Sequence, residues 1–504
     1  RDRSLSVPGT SAPHSNEVML NEVGELAVVR GGAAALYGEQ ATAGAVLVEP
    51  AHPVTDVLLT RAVAEEGVDD YLRGAFQLAR RVGDGASVFL STETRRIDGF
   101  FPGTKQVDRH FAGTLQARLP GRLEMSAGYR RYEGDGRHRV DETFLPVQTK
   151  RGDYHLEMFR AHSPDGRGGA LLELGLLRER LENRFETAEQ TVREIVSPSA
   201  RVTLDLPATA GWRWTARGEA VRWRIEREDL NSTSRFWRGA AALRGTRSLG
   251  AGRRLTGTVR LDTEEGRKRA LQARLETGWT VGAGTAFAIA SRNERIPDRG
   301  AQGADNEVHD SATVGYRWDT DPFRARAAAF GTRIRHYRRE ATFEEIRARE
   351  PVLDAPLGTA TVRGASLGIG TGRFAVPGIR ALGAWTLASS VTALGAENDD
   401  TGERLPRRPR FTWTGEGTLE RRFFRDELLA RVRGRMTHWR DRVDDDGAEV
   451  PDLWITDVLL EGEIGDAIFF YRFHDLLERA DAIEPGYRFP GFSRIYGLSW
   501  RFWG

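Results

Sequence analysis

Gly364 to Gly368 reads Gly-Ala-Ser-Leu-Gly, the G-x-S-x-G spacing of a serine nucleophile. That chemistry needs a strand-to-helix elbow that lifts the hydroxyl out of a sheet. Ser366 instead lies in an alternating, glycine-rich stretch, which predicts a plain strand. Asp441 to Asp452, "DRVDDDGAEVPD", has the acidity of a calcium loop. With Gly447 at the invariant glycine, Arg442 takes the first ligand position and Leu453 the twelfth, and neither carries a side-chain oxygen. A solvated acidic loop is the expectation. The 10 histidines show no H-E-x-x-H or related zinc spacing. No catalytic residue, metal site or cofactor is expected, and the chain reads as a non-enzyme.

Cations beside aromatics remain. His336, Tyr337 and Arg338 stand at the base of the longest link, and Phe100 and Phe101 at the tip of another. Guanidinium groups with rings suit an anionic, aromatic iron chelate, through charge-assisted hydrogen bonds and cation–π contacts. They equally suit an interfacial belt with rim charges. Binding, not catalysis, is the chemistry on offer, and it needs a scaffold that holds several loops at one mouth.

The scaffold is written in period two from about residue 52 onward. In "LTGTVRLD", Leu255, Gly257, Val259 and Leu261 fall on one face, and Thr256, Thr258, Arg260 and Asp262 on the other. "LQARLETGW" sets Leu271, Ala273, Leu275 and Trp279 against Gln272, Arg274 and Glu276. "LRGAFQL" and "RVRGRM" repeat the pattern. A soluble sandwich would bury the apolar face against a second sheet. A membrane barrel would turn it to lipid and keep the charges in a wet lumen.

The links decide between these two. Tight ones such as "VGDG" (Val82 to Gly85), "LPATAG" (Leu206 to Gly211), "DTDP" (Asp319 to Pro322) and "FRDE" (Phe424 to Glu427) alternate with long ones. The long ones include Arg95 to His110, Glu133 to Lys150 and His336 to Gly358. Short turns at one rim and long loops at the other, over about 22 strands, predict an all-β, transmembrane antiparallel β-barrel of the bacterial outer membrane.

Composition agrees. The 504 residues hold 74 basic and 72 acidic side chains, a net charge of +2, so no basic field favours nucleic acid. No run of 18 apolar residues occurs, which excludes helical spans and leaves barrels open. There is no cysteine, which suits an envelope compartment without a disulfide framework. Tyr496, Leu498, Trp500 and Phe502 share one face of the last strand, as an interfacial girdle requires. They also resemble the C-terminal signature read by the barrel-assembly machinery, although Trp503 and Gly504 follow Phe502.

One stretch has another texture. "ELAVVRGGAAALYGEQATAGAVLVEP" resembles the end of the plug domain of TonB-dependent outer-membrane receptors. Val28, Val29, Arg30 and Gly31 match its first part, Ala35, Leu36, Tyr37 and Gly38 its second, and Gly44 to Val48 its third. Gly32, Ala27 and Ala43 depart from the pattern. The segments Ser291 to Trp318 and Gly486 to Phe502 are similar to later family patterns, in the correct order.

The resemblance implies a short plug remnant at 1–51 and a barrel at 52–504. It implies active uptake of a scarce solute: a ferric siderophore, cobalamin or an oligosaccharide. The expected partners are outer-membrane lipid, the barrel-assembly machinery, a small-molecule ligand and the TonB energising complex. Arg30 and Tyr37 are expected to hold the remnant against the wall. "RDRSLSVPGTSAPHSNEVML" has no TonB box, so the rest of the plug is expected upstream of Arg1. The alternative is a passive, unplugged pore.

Overall fold

The computed structural model describes residues 23–30, 34–37, 44–50, 56–83, 85–98, 105–120, 123–137, 139–140, 143–144, 147–162, 168–184, 190–228, 231–250, 252–297, 305–337, 358–375, 383–444, 447–478, 482–484, 487–488 and 491–503. They form a closed barrel of 22 antiparallel strands, each paired with its neighbours in the sequence. Among the described residues no helix is long and apolar enough to cross a membrane.

The last strand, Ser493–Trp503, closes on the first, Leu59–Gly67, with Trp500 opposite Ala62 and Phe502 opposite Thr60. Closure leaves no unpaired edge, which is what a sheet in hydrocarbon needs. The seam also depends on Gly497: a Cβ there would fall 2.5 Å from the Ala64 carbonyl oxygen. Tyr496, Trp500 and Phe502 all point outward and are exposed.

The alternation read in the sequence is the alternation of the wall. In the strand Arg254–Glu264, Val259 is 53% exposed and its neighbour Arg260 only 4%. Leu261, Leu271 and Leu275 are exposed, while Thr256, Thr258, Asp262 and Gln272 are buried. A water-soluble protein reverses this arrangement. An apolar exterior around a polar, partly buried interior is the signature of a membrane barrel.

The links depart from the expected strict alternation. Strands run further than the pattern suggested, to Ile97 before Phe100 and Phe101 in the chain and from Lys105 after them. Leu206 is still in the strand Gln190–Thr209, so that turn shrinks to residues 210–211. At the short-turn rim, residues 372–383 make a long link that carries a two-residue strand, Phe374–Ala375. At the loop rim, residues 228–231 and 265–269 are as short as the links 424–427 and 249–253 of the opposite rim. The rule fails because a strand that outruns the bilayer converts loop sequence into ladder. The longest link, 336–358, stands as expected.

Candidate functional site

The turn Ala34–Tyr37 lies on the lumen side of the wall, between two short strands. Val23–Arg30 and Gly44–Pro50 pair antiparallel, with Val28 opposite Val46 and Arg30 opposite Gly44. Between them the single turn Ala34–Tyr37 lies against the strands Arg254–Glu264, Ala270–Val281 and Gly284–Arg295. Ala35 is buried, and Tyr37 is half-buried. Small residues are what allow a backbone to approach a wall this closely.

The wall answers with charge. Arg217 donates from Nη1 to the Leu36 carbonyl at 3.3 Å. Its Nε lies 2.6 Å from Glu219. Glu219 also meets Arg201 at 3.3 Å and takes a two-pronged pair from Arg260, at 3.0 and 3.1 Å. Arg260 reaches on to Asp262 at 2.9 Å, and Arg201 to Glu173 at 3.4 Å. Three guanidinium groups therefore share one carboxylate; Glu219 and Arg260 are largely closed from water, while Arg201 and Arg217 keep about a fifth of their side-chain surface. Such a cluster is sustained only if every charge has a partner. Nearby, Gln272 is fully buried; its amide donates to the Glu294 carbonyl at 2.5 Å and accepts from the Glu294 N–H at 2.9 Å. It extends the ladder by a side chain where backbone pairing with the next strand has stopped at Ala273–Arg292.

Toward the loop rim the wall changes character. In Trp212–Arg227 the inward row runs Arg217, Glu219, then Val221, Trp223, Ile225. Val221, Trp223 and Ile225 are buried with Ile195 and Phe236, and the Trp223 and Phe236 rings stack at 6.2 Å. The outward row turns basic at the same height, at Arg222 and Arg224, with Arg222 placed over the Trp237 ring at 5.6 Å. Inward polar residues became apolar where outward apolar ones became charged. That inversion marks the level at which the strands leave the bilayer. The signal was present in "GEAVRWRIER" as a phase change, and scanning for one constant alternation missed it.

At the rim itself, Tyr71 donates its hydroxyl to Glu65 at 2.8 Å, and Arg73 bridges Glu65 and Glu93. Burial, with the Glu65 carboxylate beside it, pushes the Tyr71 phenol above its usual pKa. His336 is exposed and turns the chain with φ of 53°. Tyr337 packs on Ile334, Ala360, Ala396 and Leu405. Its N–H donates to the Gly358 carbonyl at 3.0 Å. Phe100, Phe101, Arg338, Gly31 and Gly38 lie outside the described residues, as does the Arg30 side chain. In the acidic segment Asp441 pairs with Arg404 at 2.8 Å, and Asp444 accepts the Ala448 N–H at 2.8 Å. Among the described residues no group of acidic or histidine side chains is placed to hold a metal. Ser366 lies within the strand Thr359–Thr371, as expected.

Comparison with solved structures gives the architecture a counterpart. The siderophore receptor PirA from Pseudomonas aeruginosa superposes with a TM-score of 0.74 at 14% identity, over 95% of this chain and 87% of its own. The FrpB iron transporter from Neisseria meningitidis, F5-1 variant, reaches 0.77 at 11% identity, over 96% and 89%. The ferric-catecholate import receptor Fiu from Escherichia coli K12, in its closed form, reaches 0.76 at 12% identity, over 95% and 86%. The fold is that of the outer-membrane siderophore and iron receptors. No protein-family description matches the chain, and no curated protein does.

The receptor fold bears out the all-β barrel and the likeness to TonB-dependent receptors at the level of architecture. With its apolar exterior, it places the chain in the Gram-negative outer membrane. At 11 to 14% identity the receptor fold is kept by pattern, not by particular residues.

Proposed function

We propose that this chain is a TonB-dependent outer-membrane receptor that takes up a scarce solute actively, a ferric siderophore foremost, with cobalamin or an oligosaccharide as the other candidates. Residues 1–51 are the C-terminal part of its plug, and 52–504 its barrel. No covalent chemistry is assigned to it. The long links capture the ligand, and energy supplied by TonB at the plug opens the passage.

One observation carries this reading. A small-residue segment that resembles the end of a plug lies inside the barrel, with Ala35 buried and the Leu36 carbonyl bonded to Arg217. A passive pore has no use for a segment held there. Import receptors for siderophores and iron share the fold, which supports a solute of that kind. Arg30 and Tyr37, with Arg217, are the residues assigned to hold the segment.

The test is uptake of radiolabelled ferric catecholate and hydroxamate siderophores by cells expressing the full-length gene product, with and without a functional TonB. Accumulation that disappears without TonB is expected. Equal uptake in both backgrounds would replace this reading with the passive pore.

A further inference from the structure

Toward the short-turn rim, the inward row of Trp212–Arg227 continues from Arg217 through Thr215 to Arg213. Those four residues span about 10 Å of height at ~3.3 Å per residue and a tilt of ~40°. Arg213 therefore lies between the Leu36–Arg217 contact and the short-turn mouth. The strand Ser232–Ser248 adds Arg244, on the inward row of Phe236 and Arg238. Arg254–Glu264 adds Arg254, on the inward row of Arg260. The register draws these together. Thr246 stands opposite both Arg213 and Thr256, and Ser248 opposite Arg254. Arg244, opposite Thr215, is the diagonal neighbour of Arg213, about 7–8 Å away between the roots of the two side chains. Arg254 stands one strand beyond. Three long cationic side chains thus border one patch of hydroxyls: Thr215, Thr246, Ser248 and Thr256.

Higher on the wall the arginines are neutralised. Arg217 and Arg260 lean on Glu219, and Arg238 on Glu264 at 2.6 Å. Arg213, Arg244 and Arg254 are exposed, and their side chains make no ion pair or hydrogen bond among the described residues. Inward carboxylates on the flanking strands are engaged elsewhere. Asp205 accepts the Thr215 hydroxyl at 3.0 Å, and Glu276 pairs with Arg274 at 3.4 Å. Cations of one sign on a concave wall of low dielectric focus a positive potential in front of them. In a chain with 74 basic and 72 acidic side chains there are carboxylates enough to pair nearly every cation, yet these three have none.

We infer that the short-turn mouth of the lumen carries a binding site for a small multivalent anion, a solute with two or more acidic groups. Arg213, Arg244 and Arg254 are its cations, and the neighbouring hydroxyls add donors. Guanidinium forks take carboxylate or phosphate oxygens in pairs, which gives the site geometry as well as charge. As an exit site it rests on the uptake reading above, and it narrows the solute to an anionic one. An uncharged oligosaccharide gains nothing there.

Isothermal titration of the detergent-purified full-length gene product tests the site. The probes are benzene-1,3,5-tricarboxylate and its uncharged counterpart, benzene-1,3,5-trimethanol. Saturable binding of the tricarboxylate alone is expected. Arg213→Gln, Arg244→Gln and Arg254→Gln together should weaken it at least tenfold. Arg222→Gln with Arg224→Gln removes two cations from the outward face of the same strand and should leave it unchanged. Heat-modifiable gel migration shows that every variant is folded. No binding by the parent, equal binding of the trimethanol, parental binding by the triple variant, or an equal loss in the outward pair overturns the site. In cells, the triple variant should lower the maximal rate of ferric-catecholate uptake, an anionic chelate, and keep its half-saturating concentration. An unchanged maximal rate, or transport by the parent of uncharged chelates alone, overturns its place on the exit path. Uptake that does not need TonB would sink the receptor reading instead, and the titration would still decide the site.

Discussion

Two stretches of the lumen wall use the same motif in different solvents. Beneath the N-terminal segment, Glu219 is shared by Arg201, Arg217 and Arg260, with side-chain exposures of 12% for Glu219 and 4% for Arg260. On the strands Phe411–Phe423, Leu428–Arg440 and Leu453–Ile464 the arrangement is mirrored. There Arg431 is shared by Glu420 at 3.0 Å and Glu461 at 3.2 Å, and all three side chains are about a quarter exposed. Both link three or more strands through one central charge. They differ at the centre: Glu219 and Arg260 are largely closed from water, while Arg201 and Arg217, at 20% and 22%, are about as exposed as the second wall. Desolvated charges cannot fall back on solvent, whereas wet ones can. An arginine-rich lumen is therefore one sequence pattern with two energetic meanings.

The sharpest way to break the comparison is to remove each central group. Glu219→Ala takes from the nearly buried Arg260 one of its two carboxylate partners, and from Arg201 and Arg217 a shared one, and should cost about 3–5 kcal/mol, read as a lower midpoint in urea unfolding from micelles. A loss under about 1 kcal/mol would show that water reaches this wall. Next in size is a charge on the other face of the strand that carries Arg260. Val259→Arg should cost about 2–4 kcal/mol by the same measurement, because Val259 meets hydrocarbon. No loss there would put Val259 against water and undo the inside-out reading.

A third change addresses the segment that keeps the first wall dry. Arg30→Ala with Tyr37→Ala, or Arg217→Ala alone, should speed protease cleavage within residues 23–50 by about tenfold. This corresponds to the ~1.5 kcal/mol of one hydrogen bond to a charged group. Unchanged resistance would mean that the segment is held by other contacts. The smallest effect is expected on the wet wall. Glu420→Gln should change stability by less than about 1 kcal/mol, and added salt should shrink the difference further. A loss as large as that of Glu219→Ala would erase the distinction between the two walls.

Much of the architecture was legible because period two has one physical cause. Val259 beside Arg260 states the wall's two solvents without any knowledge of partners. The closing strand was legible for the same reason, since Tyr496, Trp500 and Phe502 are spaced for one outward face. Link lengths were read less well. Gln190–Thr209 continues through Leu206 into what looked like a turn, because a strand above or below the bilayer has no hydrophobic rule to obey. The inward cluster of Trp223 and Phe236 was missed because the alternation changes phase there, and a fixed phase reads it as noise.

The sequence by itself determined the barrel, its two-faced strands, the order of pairing and the small-residue segment ahead of it. These follow from local alternation and from which residues tolerate hydrocarbon. Only the tertiary structure decided which charges meet. Arg201, Arg217, Glu219 and Arg260 come from three strands, and register and curvature bring them together. It also decided that the Leu36 carbonyl meets Arg217, and that Gly245 and Gly331, five strands apart, line one groove on the outer wall. Contacts between distant strands depend on shear and tilt, which no local pattern encodes.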